Sequence, residues 1–197
     1  MFQVSRILLV AAVAAAIGIS GVAAQQSSDT SNSSPASDPS ASKASAGRTV
    51  TDTKFLKAAA EGGLAEVALG QLAVEKASSS EVKKFGQRMV DDHSKANEEL
   101  KQLAAQKSVE LPRDLSAKDK TTKATLENLS GEQFDRAYMK DMVKDHRKDV
   151  SDFRRESISA HDPDIKKFAS QTLPTLKDHL KQAESIAPPA TAPGSAR

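Results

Sequence analysis

Hydrophobic positions in this chain recur at alternating spacings of three and four, the signature of amphipathic helices, and no stretch alternates as a strand does. Four long helices and one short one are predicted. The first is opened by Thr51 or Asp52 and runs to about Ala77. The second follows a capping box, Ser78-Ser79-Ser80-Glu81, with Ser78 as N-cap and Glu81 at N3, and reaches about Lys107. Leu111-Pro112 interrupts, and Ser116-Ala117-Lys118-Asp119 opens a short helix to about Asn128. A second capping box, Ser130-Gly131-Glu132-Gln133, begins the third long helix, which ends near Ser159. Asp162-Pro163 supplies an N-cap and a proline at the first helical position, starting the fourth, which runs to about Ile186 with Pro174 inside it. Short connections force antiparallel neighbours, and the one long connection can run the length of a bundle. The expected fold is therefore all-α: a four-helix bundle of two antiparallel hairpins joined by a crossover that contains a short helix.

The ends of the chain have a different texture. Arg6 precedes an apolar run from Ile7 to Ile19, and Val22-Ala23-Ala24 offers the small residues of a signal-peptidase site, so residues 1–24 read as a signal peptide. That run is short for a membrane span, and signal cleavage would leave no transmembrane segment. Residues 25–51 are Ser, Ala, Asp, Pro and Gly with almost nothing large and apolar; they read as a disordered linker, as does the tail over 188–197. The folded domain is placed at 52–187. The expected destination is the periplasm or outer envelope of a bacterium, with partners unknown beyond envelope components. With no cysteine anywhere, the exported domain must rely on its core rather than on disulfides. The formal net charge is +2, acidic and basic residues are interspersed, and there is one Tyr and no Trp, so a nucleic-acid-binding footprint is absent.

The candidate chemistry lies in a pattern that recurs three times: Met89-Val90-Asp91-Asp92-His93, Met142-Val143-Lys144-Asp145-His146 and Thr175-Leu176-Lys177-Asp178-His179. Three of the four histidines sit in this setting, each on the apolar stripe of a different helix. Glu66 occupies the equivalent stripe of the first helix. At 1.5 Å rise per residue, Glu66 and His93 lie about 21 Å from the starts of their helices, His146 about 22 Å and His179 about 24 Å. Helices of about 40 Å put all four near mid-height, whichever way each runs. One carboxylate and three imidazoles make a ligand set suited to a single transition metal (Zn, Cu or Fe). Asp92, Asp145 and Asp178 are each rotated about 100° from the following histidine and can orient an imidazole of a neighbouring helix, or simply face solvent. Met89 and Met142, four residues before His93 and His146, share their faces as thioether neighbours or as core filling. The competing reading of the whole set is a buried hydrogen-bond network that fixes helix register in a structural or interaction module of the envelope. A redox enzyme is a third and weaker reading.

The segments Phe55-Leu56-Lys57-Ala58-Ala59-Ala60-Glu61-Gly62-Gly63, Met89-Val90-Asp91-Asp92-His93, Leu129-Ser130-Gly131-Glu132-Gln133-Phe134-Asp135-Arg136-Ala137-Tyr138 and Leu173-Pro174 followed by His179 resemble the bacterial domain-of-unknown-function family numbered 4142, which is placed in the ferritin-like superfamily. The resemblance spans about Thr51 to Ile186. It implies a ferritin-like bundle and an exported protein, and it brings no established activity. Di-iron members of that superfamily use Glu-x-x-His pairs. Here Val90, Val143 and Leu176 stand three residues before the histidines, so a di-iron centre does not fit and a mononuclear site, or no metal, fits better.

Overall fold

The computed structural model describes residues 39–187, with side chains from Thr51 onward; the expected signal peptide, the first part of the expected linker and the tail lie outside the described residues. Five helices follow in order: α1 (Pro39–Lys76), α2 (Ser80–Gln106), α3 (Ala117–Glu127), α4 (Gly131–Ser159) and α5 (Pro163–Ile186). There is no strand among the described residues, and no helix there is long and apolar enough to cross a membrane. α1 packs along α2 and α4 along α5, and α3 lies in the connection between these hairpins, touching α1 and α4. This is the two-hairpin arrangement that the short and long connections predict.

The helix starts show where local sequence decides and where tertiary partners override it. Ser116 accepts the amide of Asp119, and Asp162 accepts those of Asp164 and Ile165 with Pro163 inside the first turn, both as expected. At α2 the cap is Ser79, not Ser78. Asp135 of α4 reaches across to take the amide and hydroxyl of Ser78 and the amide of Ser79, leaving the Ser79 hydroxyl to accept from Glu81 and Val82. Ser130 is the N-cap of α4 but makes no side-chain cap bond. The next residue, Gly131, has φ 57°, a left-handed conformation that a side chain would strain. α1 begins at Pro39, well before Thr51. Proline suits a first helical turn, and the alanines that follow are strong helix formers. Asp52 is consequently inside α1 and caps something else: it accepts the amides of His161 and Asp162 in the α4–α5 turn.

The core is divided into two apolar clusters. One contains Leu69, Phe85, Met89, Phe134, Tyr138, Met142 and Ala183; the other contains Phe55, Leu56, Leu100, Phe153, Ile165, Phe168 and Leu176. Each of the four long helices passes from one cluster to the other, and each does so at a buried polar residue. These are Glu66 in α1, His93 in α2, His146 in α4 and His179 in α5. The bundle is thus two hydrophobic plugs with a polar layer between them.

Candidate metal centre

Each histidine enters this layer because its helix presents it on the same stripe as large apolar residues. Met89 and Leu100 flank His93 on α2, and Met142 and Phe153 flank His146 on α4. His93 is 7 % exposed, His146 0 % and His179 1 %. The ring centroids are 5.7 Å apart for His93 and His146, 5.4 Å for His93 and His179, and 5.3 Å for His146 and His179. One ligating nitrogen from each ring lies within 4.8 Å of the other two.

Hydrogen bonds fix which nitrogen two of the rings offer. His146 Nδ1–H donates to the carbonyl of Met142 at 3.0 Å, which leaves Nε2 as a lone pair. His179 Nε2–H donates to Asp92 Oδ2 at 2.7 Å, which leaves Nδ1. These two lone pairs and His93 Nε2 are all buried and have no protein hydrogen-bond partner. A buried polar atom without a partner is costly, and three at one spot are rare in a settled core. Burial, with the neighbouring histidines adding, lowers the pKa of His93 to about 3 and that of His146 to about 4. His179 is also lowered by burial, the Asp92 bond opposing the shift. The rings are therefore neutral at pH 7, the form that binds metal.

Asp92 is anchored in turn. Arg88 Nε donates to it at 3.2 Å, and Arg88 Nη1 donates to Gln182 at 3.0 Å, tying α2 to α5 beside the histidines. A carboxylate behind an imidazole sets its tautomer and raises its basicity as a ligand. The other two aspartates of the repeated pattern do not do this. Asp145 is half-buried and faces Lys118 of α3 at 3.9 Å, and Asp178 is exposed. Met89 and Met142 are both fully buried in the first apolar cluster, and the tie from Met142 to the site is its backbone carbonyl.

Glu66 stands on the other side of the His146 ring. Its Oε1 is 3.5 Å from Nδ1, the protonated nitrogen, and not beside the three unpartnered nitrogens. Burial, followed by the charges of Asp149, Asp145, Asp141 and Asp119, raises its pKa well above the usual carboxylate range. Three of these, Asp141, Asp145 and Asp149, form a ridge at i, i+4 and i+8 on α4, a spacing visible in the sequence but not used there. Asp149, half-buried, is pushed up by burial to about 7. Arg88, Gln182 and Asp149 are the members of the neighbourhood that periodicity alone did not bring forward.

Fold and site together describe a helical bundle with three inward-facing histidines in a polar layer that can hold one metal ion. The chain belongs to the family described as "Domain of unknown function (DUF4142)", whose match covers residues 36–186. It is also similar in structure to a DUF305 fragment from Deinococcus radiodurans, with a TM-score of 0.61 and 14 % sequence identity over 68 % of this chain and 93 % of that one, a likeness of fold. No curated protein matches the sequence.

Proposed function

We propose that this protein is an exported bundle that binds a single transition-metal ion at mid-height through His93 Nε2, His146 Nε2 and His179 Nδ1. The observation that carries the reading is the set of three converging, unpartnered ring nitrogens. A network built only to fix helix register would pair its nitrogens with one another. Here the two bonded rings turn their N–H groups away, to Asp92 and to the Met142 carbonyl, and keep their lone pairs inward. Three neutral nitrogens suit Zn, Cu or Fe, and an all-nitrogen shell disfavours Mg or Ca. In this reading Asp92 orients His179, and Glu66, its pKa raised by burial, backs His146. Export is inferred from residues 1–24, and the linker that follows would hold the bundle away from whatever retains it.

Metal analysis of full-length protein, purified without chelators from the cell envelope fraction, tests the proposal beside His146→Ala. About one metal ion per chain in the parent, and none in the variant, is the expected result. Metal-free native protein whose stability is indifferent to zinc, copper and iron would sink it.

A further inference from the structure

The polar layer has two unequal faces. Towards the first apolar cluster, Phe85 packs edge-on against His146 with ring centroids 6.3 Å apart. Towards the second, the layer does not close. A chamber of about 30 Å³ lies beside His93, with Gly62, Asn97, Asp149 and Thr172 in its wall and Leu100, Phe153, Phe168 and Leu176 of the second cluster around it. That volume exceeds the roughly 10–15 Å³ needed for one water, and the wall offers several polar groups to hold it.

The chamber exists because α1 carries a glycine pair there. A Cβ on Gly63 would fall 2.0 Å from Asn97 Oδ1, so glycine there leaves room for the Asn97 amide against α1. A Cβ on Gly62 would meet only Asp149 Oδ2, at 4.0 Å, so its missing side chain leaves space rather than relieving a clash. The chamber shares His93, Ala96, Thr172 and Leu176 with a larger polar cleft of about 310 Å³ between α2 and α5, into which His179 also faces. Asp92, Lys95, Glu99 and Gln171 line that cleft and give it a wettable path to solvent.

We infer that the chamber is the seat of a fourth, exchangeable ligand on the metal: a donor of one or two heavy atoms, such as water, hydroxide or fluoride, reached through the α2–α5 cleft. The inference rests on the three-histidine reading and sharpens it. Three protein ligands with an exchangeable fourth position are the arrangement of an open site, whereas a structural site closes its shell. The chamber admits a small ligand and has no room for a ring. Asn97 and Asp149 line the chamber and bring polar side chains to its wall.

Electron paramagnetic resonance of the copper(II)-loaded full chain tests this, with copper content measured on the same samples. Added fluoride is expected to split the copper signal through its nuclear spin, and added imidazole to leave it unchanged. Gly62→Val fills the chamber and should abolish the fluoride splitting while copper content stays at one per chain. Ala96→Val, from the wall shared with the cleft, serves the same purpose if the first variant does not fold. Bound copper with no fluoride splitting would overturn the inference, as would an equal response to imidazole or splitting that survives both variants. A chain that holds no copper at all overturns the three-histidine reading itself, a result read from metal content and not from the fluoride response.

Discussion

Asp52 and the histidine layer are both buried polar places in one small bundle, and they are finished differently. Asp52 is 5 % exposed and accepts two backbone amides, from His161 at 3.2 Å and Asp162 at 2.9 Å, so it closes the α4–α5 turn against α1. The histidine layer ends in three ring nitrogens with no protein partner. The first place is complete within the chain. The second is not completed by the chain's own hydrogen bonds. Stability experiments should separate them: a satisfied group is missed when deleted, and an unsatisfied cluster is missed only when its ligand is present.

The largest effect expected is on the metal side. At a metal concentration a thousand times the dissociation constant, binding to the folded state alone adds about 4 kcal/mol. Urea unfolding with and without zinc should show a gain of that order in the parent chain and none in His146→Ala. An equal gain in both would mean that the ion binds elsewhere. Next is Asp52→Ala, expected to cost about 2–3 kcal/mol because it strands two amides that donate to a charged group. Metal should not rescue that loss; if it did, the two places would be coupled and the contrast between them would fail.

Asp92→Asn is smaller. Loss of the carboxylate behind His179 should weaken metal binding about 10- to 100-fold without removing the site. Calorimetric titration reads this, and an unchanged affinity would make the 2.7 Å bond incidental.

The smallest effect is the pH profile of the metal-free protein. His93 and His146 have folded pKa values of about 3 and about 4 against 6.5 in the unfolded chain. Below 6.5 the unfolded chain takes up protons that the folded one refuses, so stability falls as pH falls. Asp149 acts oppositely: at about 7 when folded against 3.8 unfolded, its contribution is present in acid and is lost as pH rises through 7, and Glu66 shifts in the same direction. His179 shifts with the other histidines, and Asp141 and Glu156 shift with these acids. Above 6.5 the histidines add no further slope while Asp149 is still losing its proton, so urea midpoints should fall between about pH 6.5 and 7. A profile climbing over that interval would show that the buried acids are ionised.

Much of this was legible in the sequence because helical periodicity is a strong signal. The crossover follows from one long connection, the caps at Ser116 and Asp162 are local, and the convergence of Glu66, His93, His146 and His179 follows from equal distances along straight helices. What was not legible depends on partners far away in the chain. Ser78 lost its cap to Asp135, and Asp52 was taken from a helix start to a turn more than a hundred residues later. Rise per residue sets height but not which side of a ring a neighbour meets. The four-residue set was therefore visible, while the division into three unpartnered nitrogens and a carboxyl behind His146 was not. The chamber at Gly62 depends on side chains from all four long helices and has no sequence signature.

The most direct test of the central claim is X-ray absorption spectroscopy of the zinc-loaded protein, because it counts imidazoles. Three histidine nitrogens at about 2.0–2.1 Å, with the multiple-scattering pattern of imidazole rings, are predicted, falling to two in His93→Ala. A shell of carboxylate and water oxygens, or one unchanged in His93→Ala, would contradict the account.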